Sequence, residues 1–138
     1  FAYLLSIERI PSAIAQYITG ISENLIVTML IISAFIFIVG MFIDTISAVV
    51  ILTPILLPVA TAVGVDPIHF GVIMIANLAV GYVTPPLGVN LFVASNISNE
   101  TIERITIALI PFIVVMLVII ALIILVPQLS LFIPNLTS

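Results

Sequence analysis

The most informative part of the chain is residues 81–90, which read GYVTPPLGVN and put two prolines and two glycines inside an otherwise apolar run. A proline has no N–H to donate and crowds the preceding helical turn, and the residue before a proline is driven toward extended geometry. Thr84 and Pro85 are therefore expected to leave the helical conformation. The backbone carbonyls at this break lose their hydrogen-bond donors in the helix. Whether they bond other protein groups, water or a ligand then depends on what surrounds the break.

The composition places this break in a membrane. Of the 138 residues, 64% are hydrophobic and 6% are charged, whereas an average soluble domain carries about 25% charged residues. The charges fall mostly between the apolar runs, which is the layout of an all-α integral membrane protein. In lipid, irregular backbone is tolerated only where it is buried in protein or lines a cavity. The sequence therefore predicts that residues 81–90 form the centre of a site.

The same composition excludes several function classes. The net charge of -4 provides no cluster of Lys and Arg for binding nucleic acid. The chain has no cysteine, and its single histidine, His69, has no second ligand at metal spacing, so it is expected to be an interfacial or capping residue. No paired acid and base and no phosphate-binding loop occur. Neither an enzyme nor a cofactor is predicted.

The apolar runs before the break predict a helical hairpin over residues 25–65 with its tip near residues 40–47. The first arm, Leu25–Ile43, has 19 residues without a charge and is long enough to span a bilayer or to form one arm of a re-entrant hairpin. The tip is polar, because it contains Asp44, Thr45 and Ser47. Asp44 lies at the surface if both arms span, and near the midplane if the hairpin is re-entrant.

The remaining segments follow from the same pattern. They are a connecting or amphipathic segment at 1–24, a helix over 67–97 broken at 84–87, a transmembrane helix at 105–126 and an interfacial C-terminal tail at 127–138. Asp66 is expected to cap the helix that starts at Pro67. Ser98 or Asn99 is expected to cap the helix after the exit loop.

Polar side chains accompany the break. Thr84 and Asn90 flank the prolines and offer oxygens beside the released carbonyls, which is an all-oxygen environment suited to a hard monovalent cation. Asn77 shares a helix face with Gly81 and is expected to line the site, unless it only bonds a neighbouring helix. The break also has a plainer interpretation, a proline kink that holds no ligand.

The order of several motifs resembles one family, the large membrane subunit of the tripartite ATP-independent periplasmic (TRAP) transporters, in its C-terminal part. The motifs are GMFID at 40–44, TPILLP at 53–58, GVDPIHFG at 64–71, then Asn77 and the stretch 81–88. The resemblance covers most of the chain and is strongest from Gly40 to Val93. Because the sequence begins with Phe, we expect it to be a piece of a longer subunit.

The resemblance implies a secondary transporter built from inverted repeats, of which this chain would be most of the second. Residues 25–65 would form its re-entrant hairpin and residues 67–97 its discontinuous helix. A sodium gradient would drive import of an organic acid, such as a dicarboxylate, a sialic acid or a related carboxylate. The implied partners are a small membrane subunit, a periplasmic binding protein that delivers the acid, and the lipid bilayer. The implied location is multi-pass in the cytoplasmic (inner) membrane of a bacterium or an archaeon.

Two sets of site residues follow from the break, the tip and this resemblance. Sodium, the coupling ion, is expected to be held largely by backbone carbonyls at Gly81, Val83, Thr84, Pro85, Gly88 and Asn90. Substrate contact and coupling are expected at Asp44, Thr45, Ser47 and Asn77. Asp44 would offset part of the cation charge from the hairpin tip.

Two other functions stay open. One is a carrier of the divalent-anion/sodium symporter type that needs no binding protein, which uptake by the membrane subunits alone would favour. The other is a structural membrane module, which full function after replacement of the proline pair by alanine would favour.

Overall fold

The computed structural model describes residues 13, 16, 17, 20 and 24–137. Within residues 24–137 the regular elements are helices: α1 Leu25–Gly40, α2 Thr45–Ala62, α3 Pro67–Gly81, α4 Val89–Ser98, α5 Ile102–Leu125 and α6 Gln128–Thr137. The all-α prediction is confirmed for this part of the chain, while the re-entrant hairpin and the inverted repeat stay predictions. Most of the connecting segment predicted at 1–24 lies outside the described residues.

Side-chain caps explain where the helices begin. Asn24 accepts a hydrogen bond from the Ile26 N–H at 3.0 Å and starts α1. Asp66 accepts from the Ile68 N–H at 2.8 Å and starts α3, with Pro67 in its first turn, as the sequence predicted. The side-chain oxygen at both positions satisfies backbone donors that have no partner in the helix, and the Asp66 carboxylate also complements the helix dipole.

The predicted cap at Ser98 or Asn99 is wrong. Thr101 caps α5 by accepting from the Arg104 N–H at 3.4 Å, so the helix begins at Ile102 instead of 105. Its last residue is Leu125 instead of the predicted 126. Asn99 instead ends α4 in the left-handed conformation, with φ 55°. Asn tolerates this conformation better than most residues, because its short polar side chain can hydrogen-bond locally.

The core lies where α1 and α2 pack on α3. Its largest fully buried side chains include Phe70 and Ile73 of α3 together with Met29, Ile32 and Ile36 of α1. α1 and α3 run in the same direction, because Ser33 bonds Asn77 and, further along both helices, Gly40 meets Gly81. The hairpin tip that follows α1 and the break that follows α3 therefore lie at the same end of this core.

Helix length separates the elements into two groups. α2, with 18 residues, and α5, with 24, are long and apolar enough to cross a membrane. α1, α3 and α4 have 16, 15 and 10 residues, which at about 1.5 Å per residue makes each shorter than a hydrocarbon core of about 30 Å. The apolar run predicted over Leu25–Ile43 ends as a helix at Gly40, and the predicted tail at 127–138 is largely the helix α6.

Candidate functional site

The predicted break separates α3 from α4. Residues 82–87 form turns and a bend, and Gly88 joins them to α4, so the interruption is wider than the predicted 84–87 and begins directly after Gly81. Gly88 has φ +26°, a conformation that side chains rarely adopt, and a Cβ on Gly88 would lie 2.8 Å from the Thr84 carbonyl oxygen. The chain therefore turns back on itself across the break, and glycine is required where it closes.

The carbonyls of the break differ in how they are engaged. Gly81 O accepts from the Thr84 N–H at 2.9 Å, and Gly88 O accepts from the Leu91 N–H at 2.7 Å. The carbonyls of Val83, Thr84 and Pro85 accept no backbone hydrogen bond from the described residues. Three of the six positions predicted to hold sodium thus present carbonyls with no backbone donor, while Gly81 and Gly88 shape the turn around them.

The two predicted side-chain oxygens at the break lie in different environments. The Thr84 hydroxyl is buried and donates to the Val80 carbonyl at 2.6 Å. Because this bond uses the single proton of the hydroxyl, both lone pairs of its oxygen remain available as acceptors. Asn90 is exposed at the start of α4, and its N–H reaches the Tyr82 carbonyl at 3.4 Å across the break.

Asp44 occupies the hairpin tip as the N-cap of α2. Its carboxylate accepts from the Ser47 N–H at 3.0 Å and is exposed, as is Ser47, whereas Thr45 is half-buried. Hydrogen bonds from the side chain and then the backbone of Ser47 lower the pKa of the Asp44 carboxyl from its ordinary value. The structure therefore gives Asp44 a local capping function, and its predicted function in coupling stays a prediction.

The tip and the break meet through Gly40 and Gly81, the last residues of α1 and α3. A Cβ on Gly81 would lie 2.7 Å from the Gly40 carbonyl carbon and 2.7 Å from the Phe37 carbonyl oxygen. These distances mean that the two backbones touch without intervening side chains. The sequence predicted that the break faces the hairpin tip near residues 40–47, but it did not single out Gly40 as the residue that contacts Gly81.

Asn77 bonds a neighbouring helix, which the sequence analysis gave as the alternative to lining the site. It is fully buried, its Oδ1 accepts from the Ser33 hydroxyl at 3.0 Å, and its Nδ2 donates to the Ile73 carbonyl at 2.8 Å. Ser33 was missed by the sequence analysis, although a serine within the apolar first arm is the signal that would have found it. Both residues line a cleft of about 290 Å³ between α1, α3 and α5. The predicted function of Asn77 in coupling stays a prediction.

Two further residues lie near the ends of the core. His69 is buried at the start of α3, where its Nδ1 contacts the Ser130 hydroxyl of α6, and no group of metal-ligating side chains occurs among the described residues. Glu103, in the first turn of α5, lines a cleft of about 420 Å³ together with Pro85 of the break. The neighbouring Arg104 pairs with Glu100 at 3.1 Å in an exposed salt bridge. The first turn of α5 thus places a carboxylate beside the break.

Comparison with known proteins gives a family match over most of the chain. The family described as "Tripartite ATP-independent periplasmic transporter, DctM component" matches residues 1–129. A protein of Oleidesulfovibrio alaskensis named "Isethionate TRAP transporter permease protein DctMQ" is 46% identical over 96% of this chain and 21% of its own length. "Sialic acid TRAP transporter large permease protein SiaM" of Vibrio cholerae is 37% identical over 99% of this chain and 32% of its own length.

A third relative carries another substrate name. "C4-dicarboxylate TRAP transporter large permease protein DctM" of Pseudomonas aeruginosa is 35% identical over 98% of this chain. The chain spans between 21% and 32% of the length of these three relatives. Relatives that match almost the whole chain are thus named for three different organic acids.

Proposed function

This chain belongs to the DctM component family of the tripartite ATP-independent periplasmic (TRAP) transporters, and on that premise we propose that it forms an ion-coupling part of a sodium-driven organic acid importer. Its relatives are transporter permeases, so the chain is part of a membrane transport protein and not an enzyme. Beyond this family membership, we propose that sodium is the coupling ion, that transport is import, and that the site lies at the break. We also propose the setting, an inner membrane that the whole protein crosses several times.

The observation that carries the proposal is the broken helix α3–α4 with its unengaged carbonyls. Carbonyls of Val83, Thr84 and Pro85 without backbone donors are costly in a membrane unless they face protein, water or a cation. A sodium ion is a hard cation that carbonyl and hydroxyl oxygens bind well. We assign these three carbonyls and the Thr84 hydroxyl oxygen as its ligands, and Gly81, Gly88 and Asn90 as the frame that holds them.

The two half-helices at the break supply opposite partial charges. The C-terminal end of α3 presents the negative end of a helix dipole to a cation, and the N-terminal end of α4 presents the positive end to an anion. Gly88, the N-cap of α4, provides no side-chain cap, and the Asn90 and Leu91 N–H groups donate to the Tyr82 and Gly88 carbonyls. The Val89 N–H donates to no backbone carbonyl of the described residues and is therefore open to an anionic ligand. This polarity supports an organic anion, a carboxylate or a sulfonate, as the substrate that follows sodium into the site.

The hairpin tip is the second part of the proposed site. Gly40 touches Gly81, so the polar tip that carries Asp44, Thr45 and Ser47 begins directly beside the break. An ionised carboxylate there favours a nearby cation through space even while it caps α2. Substrate contact at Asn77 would come from the cleft that it lines with Ser33.

The proposed partners follow from the transporter class. The chain spans at most a third of its relatives, so the rest of the site belongs to other parts of the large subunit. A small membrane subunit and a periplasmic binding protein that delivers the acid complete the proposed assembly. The relatives named for isethionate, sialic acid and C4-dicarboxylate support a small organic acid as the substrate class.

The test is sodium-dependent uptake by the full-length transporter reconstituted in liposomes with its small subunit and binding protein. Uptake of candidate acids is measured with an inward sodium gradient and, as the control, with the same gradient of potassium. The proposal expects accumulation with sodium alone. Equal uptake with potassium contradicts sodium coupling, and full uptake without the binding protein favours the divalent-anion carrier instead.

A further inference from the structure

The contact between α1 and α3 is unusually close at the point where both helices end. A Cβ on Gly81 would lie 2.9 Å from the Gly40 Cα, and a Cβ on Gly40 would lie 3.4 Å from the Gly81 Cα. The Gly40 Cβ would also come within 3.1 Å of the Leu78 Cα and 3.2 Å of the Leu78 carbonyl oxygen. Backbone faces backbone here, so no flexible side chain can move aside to absorb a change.

The position of this contact gives it a special relation to the proposed site. Gly40 is the last residue of α1 before the loop 41–44 of the hairpin tip. Gly81 is the last residue of α3 before the break at 82–88. A shift of one helix end against the other therefore moves the tip and the break relative to each other. Further from the site, the buried bond from Ser33 to Asn77 fixes the same two helices.

We infer that Gly40 and Gly81 are positioning residues, whose backbone contact sets the separation between the hairpin tip and the unengaged carbonyls of the break, and thereby the affinity for the coupling cation. The inference rests on the proposed function and adds two residues that act through their neighbours instead of binding the ion. Sodium ligands require placement within about 0.5 Å, so even a small displacement of the helix ends weakens binding.

Gly71 supplies a matched control on the same helix. A Cβ on Gly71 would meet nothing within 4 Å, whereas a Cβ on Gly81 would meet backbone atoms of α1 at 2.7 Å. Both glycines lie in α3, so replacement by alanine raises helix propensity in each case. The two variants differ in whether α1 is pushed away.

The experiment measures uptake against sodium concentration in the reconstituted full-length transporter for Gly81→Ala, Gly40→Ala and Gly71→Ala. We expect the half-saturating sodium concentration to rise roughly tenfold in Gly81→Ala and about threefold in Gly40→Ala, since ångström-scale misplacement costs up to about 100-fold. Gly71→Ala should match the wild type. A purely structural contact would lower the amount of inserted transporter and the maximal rate while leaving half-saturation unchanged.

A second readout does not depend on transport. Sodium, compared with potassium at equal ionic strength, should raise the thermal unfolding midpoint of the purified wild-type complex and of Gly71→Ala, and raise it less in Gly40→Ala. Gly40→Ala requires only small shifts of neighbouring backbone, so it keeps the inference testable if Gly81→Ala does not insert. Wild-type half-saturation and a wild-type sodium shift in Gly40→Ala would overturn the inference. Absence of any sodium effect in the wild type would instead overturn the proposed function.

Discussion

Prolines occur in α2 and in the α3–α4 break, and the two regions respond to them differently. α2 contains Pro54 and Pro58 and stays one helix over 18 residues, whereas Pro85 and Pro86 lie in the non-helical stretch 82–88. α5 also continues through Pro111. Proline alone therefore does not open a helix in this protein.

The difference lies in what surrounds the prolines. In α2 they are four residues apart and the intervening chain is packed in the core by Leu56, with Leu52 before them and Val59 after. In the break they are adjacent and lie between Gly81, which is held against α1, and Gly88, which has positive φ. A pair of prolines removes two successive donors, and the glycines permit the backbone to turn away at either end. The broken region is thus specified by four residues acting together.

The largest effect is expected from replacing the two proline pairs in turn. Pro85→Ala with Pro86→Ala restores two N–H groups that can bond the Gly81 and Tyr82 carbonyls and let the helix continue. The N–H groups of residues 87–89 would then bond the open carbonyls, so we expect sodium-driven uptake to fall by about 100-fold. Pro54→Ala with Pro58→Ala should leave uptake per inserted transporter within about twofold, because that helix is already continuous. Uptake in liposomes, normalised to inserted protein, measures both. Full uptake by the first variant would support a structural module.

The two glycines with positive φ, Gly64 and Gly88, differ in the space that surrounds them. Gly88→Ala places a Cβ 2.8 Å from the Thr84 carbonyl oxygen, whereas the nearest atom to a Cβ on Gly64, in the turn before α3, is 4.0 Å away. Each replacement costs about 1–2 kcal/mol of backbone strain, but only that at Gly88 also displaces a proposed ligand. We expect roughly tenfold slower uptake for Gly88→Ala and near wild-type uptake per inserted transporter for Gly64→Ala. Thermal unfolding of both purified complexes checks that the strain is comparable.

A threonine in each region separates ligand from packing effects. Thr84 donates to the Val80 carbonyl and Thr53 of α2 donates to the Met74 sulfur at 3.6 Å, so a valine at either position removes a hydrogen bond. Loss of a neutral oxygen ligand worth about 1 kcal/mol predicts roughly fivefold higher half-saturating sodium for Thr84→Val. Thr53→Val should leave sodium dependence unchanged. Thr84→Ser keeps the hydroxyl and should restore wild-type half-saturation, whereas wild-type half-saturation in Thr84→Val would exclude the hydroxyl as a ligand.

The sequence predicted the local elements of this fold better than their contacts. Asp66 before Pro67 specified the start of α3, and the glycines and prolines of 81–90 specified the break, because caps and proline geometry act within a few residues. The partners of Gly81 and Asn77 could not be predicted, since Gly40 and Ser33 come from another helix and periodicity does not fix which faces meet. The prediction that Asn99 caps α5 was wrong because asparagine suits both an N-cap and a left-handed C-cap, and Asn99 ends α4 instead.

The smallest predicted effect concerns two aspartates that begin helices. Asp44 caps α2 through the Ser47 N–H at 3.0 Å and Asp66 caps α3 through the Ile68 N–H at 2.8 Å. Asparagine caps about as well as aspartate, so both Asp→Asn variants should keep their helices while losing a charge. Only the charge of Asp44 lies at the tip that follows Gly40. We expect about twofold higher half-saturating sodium for Asp44→Asn and no change for Asp66→Asn.

The pH dependence of uptake separates the charge of Asp44 from its capping function. Hydrogen bonds from Ser47 lower the pKa of Asp44, so its contribution to stability is present above the unfolded-state pKa and is lost as pH falls through the lower folded-state pKa. Between about pH 5 and pH 8 the carboxylate stays ionised, and the ratio of half-saturating sodium between Asp44→Asn and the wild type should be constant. A ratio that changed within this range would mean that a group other than Asp44 titrates. An equal rise in half-saturating sodium in Asp66→Asn would show that a charge at the hairpin tip has no special effect on the cation. A constant ratio confined to Asp44 would show that the tip acts on the cation through a fixed charge, while the carbonyls of the break provide the ligands.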